Sequence, residues 1–94
     1  MNIAVMQRQR CIFSGRVQGV GFRYTVQNLA LQYDVAGYVR NLADSRVELI
    51  MEGPEEEMAC LLEDIRQKMN GYIKNLDIEH SPATGQFCRF CIKH

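Results

Sequence analysis

The sequence has no excess charge, no long apolar run and no internal repeat. Its 94 residues include 11 Lys or Arg and 11 Asp or Glu, so the formal net charge at pH 7 is +0. A balanced charge argues against the basic surface of a nucleic-acid-binding protein and against an acidic solvating tail. No apolar run approaches the roughly 20 residues that span a bilayer. We therefore expect neither a nucleic-acid partner nor a membrane anchor.

An export signal and a complete metal-binding motif are also missing. The first ten residues hold only one short apolar stretch, residues 3–6, so we expect a cytoplasmic protein with reduced thiols. Cys88 and Cys91 have the spacing of half a zinc site, but no second pair completes it, and neither do His80 and His94. On a strand, side chains three residues apart also point to opposite faces. We expect no metal site.

Apolar periodicity predicts one domain, residues 10–94, after a lead-in segment of residues 1–9. One helix follows Arg23, and a second begins at Gly53-Pro54 with three glutamates in its first turn and ends at Gly71. The predicted strands are residues 10–15, 35–41, 46–52, 76–81 and 87–92. The order β-α-β-β-α-β with an extra terminal strand predicts the α+β ferredoxin-like, split βαβ fold. Such a fold has a mostly antiparallel sheet with two helices on one face.

Three glycines lie between the first predicted strand and the first helix, at positions 15, 19 and 21. Glycines in such a turn let successive backbone N–H groups curl around an anion, and the following helix N-terminus attracts negative charge. Arg23 adds a planar, permanently charged donor. The spacing matches neither a nucleotide-binding Walker loop nor a dinucleotide fingerprint, and no Gly-Lys-Ser/Thr is present. On spacing alone, a tight structural turn and an anion-binding loop are equally good interpretations.

A longer motif contains this loop and continues into the next two strands. It reads Ser14-Gly15-Arg16-Val17-Gln18-Gly19-Val20-Gly21-Phe22-Arg23, then Gly37-Tyr38-Val39-Arg40-Asn41, then Val47-Glu48, with Phe90-Cys91-Ile92 near the end. From about residue 11 to residue 92 the chain resembles the acylphosphatase family. The resemblance implies hydrolysis of the carboxyl–phosphate bond of small acyl phosphates, without cofactor or metal. It also implies that the loop, from Gly15 to Phe22, and Arg23 bind the phosphoryl group, and that Asn41 positions the attacking water.

The residues present suit this chemistry. An acyl phosphate expels a carboxylate, whose conjugate acid has a pKa near the 4.3 of a glutamate side chain, so the leaving group needs no proton. Phosphoryl transfer then needs mainly positioning and charge stabilisation. The carbonyl oxygen of Asn41 can accept a hydrogen bond from water, and the loop contains no Asp, Glu or His to act as a general acid. Ser45 departs from the family pattern, because the hairpin usually has glycine there, and we expect local strain.

Two other functions remain open at this point. The first is a non-catalytic domain whose loop only holds an anion. The second is RNA binding, because the segment 19–24 superficially matches an RNA-recognition signature, although it lies between a strand and a helix. We expect a monomer in which Arg16 and Arg40 are solvated. Tyr24 and Tyr38 are expected to be packing residues.

Overall fold

The protein forms one five-stranded sheet with two helices on one face. The structure is a computed structural model that describes residues 6–94. In chain order the elements are β1 (Met6–Gly15), α1 (Phe22–Ala30), β2 (Ala36–Asn41), β3 (Val47–Pro54), α2 (Glu55–Lys68), β4 (Ile73–Pro82) and β5 (Phe90–Ile92). The strand order is β4-β1-β3-β2-β5, antiparallel throughout except for the parallel pair β2–β5. The predicted ferredoxin-like α+β fold is confirmed.

The register of the sheet brings the end of β1 and the end of β2 to the same edge. Val47, the first residue of β3, pairs with Phe13 on one side and with Asn41 on the other. Because neighbouring strands lie about 4.8 Å apart, Phe13 and Asn41 are separated by about 10 Å across the sheet. The loop that follows β1 therefore begins beside the C-terminal end of β2.

The core lies between the sheet and the helices. Helix α1 buries Phe22, Val26 and Ala30 against the sheet, and the rings of Phe13 and Phe22 are 5.0 Å apart between centroids. Helix α2 buries the apolar stripe predicted from its periodicity, Met58, Leu61, Leu62 and Ile65, with Met69 just beyond its end. This packing anchors the first turn of α1, and with it the preceding loop, to the end of β1.

Several predicted boundaries differ from those observed. Strand β1 begins at Met6 rather than at residue 10, because the polar residues 7–9 pair with both β3 and β4. Residues 1–5 of the predicted lead-in lie outside the described residues. Strand β4 runs over Ile73–Pro82, longer than predicted, and β5 covers only Phe90–Ile92. Helix α2 ends at Lys68, before Gly71, and Tyr72 and Ile73 donate their N–H groups to the Met69 carbonyl.

The sheet face away from the helices carries a buried carboxylate, Glu48. One oxygen accepts hydrogen bonds from Arg40 Nε at 2.6 Å and from the Tyr38 hydroxyl at 3.2 Å, and the other accepts one from Arg10 Nε at 2.7 Å. Burial raises the pKa of Glu48, but hydrogen bonds and charge from Arg10 and Arg40 outweigh it and leave the pKa below its usual value. The prediction that Arg40 is simply solvated is therefore wrong, since an ion pair holds its guanidinium.

Candidate active site

Two glycines in the loop between β1 and α1 have a left-handed backbone conformation. Gly19 and Gly21 have φ of 77° and 78°, left-handed values that side chains rarely adopt. A Cβ atom built on either glycine would meet no heavy atom within 4 Å. A close packing contact therefore does not account for glycine at these two positions, whereas the left-handed backbone conformation does. The surroundings of both residues are open.

The N–H groups of this loop have no acceptor within the described residues, 6–94. The N–H of Arg16 donates to the Tyr72 carbonyl at 2.9 Å. The next backbone N–H along the chain with an acceptor in residues 6–94 is that of Thr25, which donates to the Gly21 carbonyl at 3.0 Å. The amides of residues 17–24 donate neither to a backbone acceptor nor to a side chain within that range. A run of unsatisfied donors is available to water or to an anion.

The N-terminus of α1 adds favourable charge to the same place. Gly21 precedes the helix without a side-chain cap, and the first turn contains no acidic residue. The positive end of the helix dipole is therefore not neutralised from within the helix. Arg23 lies in this first turn, is half-buried, and forms no ion pair with a carboxylate of residues 6–94. Both features favour an anion at the loop.

Asn41 is the last residue of β2, and its side chain is on the helix side of the sheet. Val39, two residues earlier, is buried in the core under α1, and side chains two residues apart share a face. Asn41 is exposed and makes no side-chain hydrogen bond recorded within residues 6–94. Arg40 points to the opposite face, where it contacts Glu48. The amide of Asn41 is thus free to bind a ligand at the sheet edge where the loop begins.

Gln18 connects the loop to the hairpin that follows Asn41. Its side-chain amide donates to the carbonyl oxygens of Leu42 and Arg46, each at 2.9 Å. The N–H of Leu42 in turn donates to the Arg46 carbonyl at 2.8 Å. The family resemblance implies that Gln18 is one of the phosphate-binding loop residues and gives its side chain no role of its own. Its side chain binds the hairpin instead, which leaves only its backbone N–H facing the loop.

The C-terminal residue also approaches the loop. Nη1 of Arg23 lies 3.4 Å from Nδ1 of His94, a long hydrogen bond if that ring nitrogen is the acceptor. Strand β5 sets this position: Ile92 pairs with Val39, and the N–H of Lys93 donates to the Val39 carbonyl. No local sequence pattern indicates this contact, because the two residues are 71 positions apart.

The remaining loop residues differ in how far they are buried. Val17 and Phe22 are buried and pack into the core, Arg16 is exposed, and Gly15 ends β1. Tyr24 is 61% exposed, so the prediction that it is a packing residue is wrong.

The described residues contain no group of three or more His, Cys, Asp or Glu that could hold a metal ion. Residues 6–94 also form no helix long and apolar enough to cross a membrane.

The fold and the site define a class of protein: a small ferredoxin-like α+β domain with a glycine-rich loop ahead of its first helix. The acylphosphatase family model matches residues 9–92, and the chain belongs to this family of hydrolases. It is 45% identical over 80 residues to an acylphosphatase of Acidothermus cellulolyticus, covering 81% of this chain and 76% of that protein. Identity to an acylphosphatase of Methylococcus capsulatus is 36% over 88 residues, covering 93% and 96%. The crystal structure of acylphosphatase from Bacillus subtilis superimposes with a TM-score of 0.84 and 37% identity, covering 94% of this chain and 99% of that one.

Proposed function

We propose that the protein hydrolyses small acyl phosphates to a carboxylate and inorganic phosphate, without metal or cofactor. In this proposal residues 15–23 bind the phosphoryl group, with Arg23 supplying the charged donor and Asn41 positioning the attacking water. All of these residues belong to one chain and one domain, residues 10–94, so the reaction needs no second copy. We therefore also propose that the protein acts as a monomer, and that it does so in the cytoplasm.

The observation that carries the proposal is a run of loop amides without an acceptor within residues 6–94, followed in the first turn of α1 by Arg23, which has no carboxylate partner there. The N–H groups of residues 17–24 have no acceptor within residues 6–94, and Arg23 has no carboxylate partner there. A tetrahedral dianion accepts several hydrogen bonds at once and would satisfy both. Donors that are held in place before the reaction stabilise the charge that spreads over the phosphoryl oxygens in the transition state.

The role of Asn41 follows from its position and its chemistry. It lies exposed at the strand end beside the loop, with no competing side-chain hydrogen bond recorded within residues 6–94. Its carbonyl oxygen can accept a hydrogen bond from water while its NH₂ group donates to a phosphoryl oxygen. An amide cannot remove the proton from water as a strong base would. An acyl phosphate does not require one, because its carboxylate leaving group departs readily.

The test measures release of phosphate from acetyl phosphate by the wild type and by Asn41→Ala, both in EDTA. We expect kcat to fall by about 100-fold or more in the variant, in line with the loss of one preorganised group at a transition state. Wild-type activity should not change when EDTA is added. The matched control is Asn28→Ala, because Asn28 is an exposed asparagine on α1.

A second variant tests the guanidinium. Arg23→Lys retains the charge but not the planar pair of donors, so we expect at least about a tenfold loss of kcat/KM. Arg66→Lys, at an exposed position in the last turn of α2, is the control. Near-normal turnover by Asn41→Ala or by Arg23→Lys, with a folded protein, would remove that residue from the mechanism.

A further inference from the structure

A cavity lies on the opposite face of the sheet from the proposed phosphoryl site. It has a volume of about 520 Å³ and is open to solvent beside β2, β5 and the segment before β5. Tyr38 forms part of its wall, and Tyr38 points away from the helices because it contacts Glu48 on the open face. Asn41 lies on the same strand as Tyr38 and is separated from it by an odd number of positions, so its side chain is on the face that carries the helices. A ligand in this cavity would therefore be separated from the loop by the sheet itself.

Two aromatic rings give the cavity an apolar wall. Tyr38 and Phe87 meet edge to face, with centroids 5.9 Å apart and an interplanar angle of 66°. Both rings are only half-buried, so part of their surface remains available. Aromatic surface of this kind favours a planar ring packed edge to face or offset against it.

Cations surround these rings. Arg8, Arg89 and Lys93 line the cavity, and no carboxylate among residues 6–94 does. Nζ of Lys93 lies 4.7 Å from the Tyr38 ring centroid, and Cζ of Arg8 lies 5.8 Å from that of Phe87. Arg8 is 3.8 Å from the buried Glu52, whereas Arg89 and Lys93 form no ion pair with a carboxylate of residues 6–94.

This concentration of positive charge is local, because the chain as a whole has no net charge. Two unpaired cations at the rim of a cavity with aromatic walls have the composition expected of a binding site for an anion with an apolar body. The volume also falls within the range of roughly 300–1,000 Å³ that is typical of small-molecule sites.

We propose that this cavity binds a small organic anion with a planar aromatic body, separately from the phosphoryl site. The ring packs against Tyr38 and Phe87, and the anionic group lies between the side chains of Arg89 and Lys93. The side-chain amide of Gln86, which also lines the cavity, provides a further donor. Binding does not compete with inorganic phosphate, because the two ligands lie on different faces of β2.

The test uses 2-naphthoate, titrated into ¹⁵N-labelled protein in the presence of saturating inorganic phosphate. Saturable amide shifts are expected at residues 37–38 and 86–93, with none of comparable size at residues 17–23. The saturated two-ring analogue, decahydronaphthalene-2-carboxylate, and the uncharged 2-naphthol should each bind at least about threefold more weakly. Equal binding of all three compounds would overturn the proposal, as would shifts confined to residues 17–23 or shifts that do not saturate.

Variants separate the cavity from general charge effects. The double variant Arg89→Gln/Lys93→Gln should weaken 2-naphthoate binding by about fivefold, because exposed ion pairs each contribute modestly. Arg66→Gln/Lys68→Gln removes the same charge from the exposed end of α2 and should leave binding unchanged. Phe87→Leu preserves an apolar side chain without the ring, and we expect about threefold weaker binding. Equal affinity of the two double variants would contradict the proposed site.

Discussion

Replacing Glu48 with Gln removes a carboxylate that joins three strands on the open face of the sheet. Glu48 on β3 accepts from Arg10 on β1 and from Arg40 and Tyr38 on β2, and only 3% of its surface is exposed. The amide of Gln has nearly the same shape but carries no charge and offers only one acceptor oxygen. The two arginine hydrogen bonds are charge-assisted and short, at 2.6 Å and 2.7 Å.

The size of the effect follows from these contacts. Hydrogen bonds to a charged group contribute about 1.5–3 kcal/mol each when buried. Arg10 and Arg40 remain 40% and 38% exposed, so water replaces part of what each loses. We therefore expect Glu48→Gln to lower the free energy of unfolding by about 2 kcal/mol at pH 7. For a domain of this size that corresponds to a fall in Tm of roughly 8–16 °C.

The same reasoning predicts the pH dependence. The pKa of Glu48 is lower in the folded protein than its usual value near 4.3, so the unfolded chain takes up a proton first as the pH falls. The stabilisation is therefore complete above pH 4.3 and is lost as the pH falls through the lower, folded-state pKa. Comparing wild type with variant cancels the contribution of the other carboxylates, which both proteins share.

The assay is urea unfolding followed by circular dichroism, at pH 7 and at pH 3.5. The control is Glu79→Gln, which removes an exposed carboxylate 3.9 Å from the same Arg10 and should change stability by less than about 0.5 kcal/mol. The reasoning is refuted if Glu48→Gln costs no more than the control at pH 7. It is also refuted if the difference from wild type grows as the pH is lowered.

Three further predictions concern other parts of the chain. Ser45 has a φ of 74°, so Ser45→Gly should raise the free energy of unfolding by about 0.5–1 kcal/mol in urea denaturation, and a loss would contradict the expected strain. Burial raises the pKa of Cys11 to about 12, so a thiol reagent should modify the other three cysteines in the native protein and reach Cys11 only on unfolding. Gln18→Leu removes both hydrogen bonds to the hairpin and should lower kcat/KM for acetyl phosphate about tenfold. Circular dichroism should show that this variant is folded. Unchanged kcat/KM would mean that the loop needs no link to the hairpin.

Periodicity and turn chemistry were sufficient to predict the two helices and the order of helices and strands along the chain. The stripe of apolar residues in α2 and its acidic first turn are local signals, and both elements of that pattern are present in the structure. The alternation in β3 was also informative, since Val47, Leu49 and Met51 pack under the helices. Strand boundaries were less predictable. The polar residues 7–9 have no strand signal of their own, and they join β1 because β3 and β4 pair with them on both sides.

The residues of the candidate site were predicted from the glycines and from the long motif around them. The hydrogen bonds that connect this loop to distant parts of the chain were not predicted. Nothing local indicates that the Gln18 side chain binds the carbonyls of Leu42 and Arg46, or that His94 contacts Arg23. The ion pair of Arg40 with Glu48 was missed for the same reason, because it joins neighbouring strands whose register is set by the whole sheet. Contacts of this kind depend on tertiary structure and not on spacing along the chain.

A crystal of the protein soaked in phosphate tests the central claim most directly. The account predicts one phosphate ion in the loop, with its oxygens about 2.8–3.2 Å from several of the N–H groups of residues 17–23 and from the guanidinium of Arg23. Asn41 should lie beside it, close enough for one water molecule to bridge the amide and the phosphorus. A loop that stays empty at saturating phosphate, or an ion bound elsewhere while Arg23 points into solvent, would contradict the account.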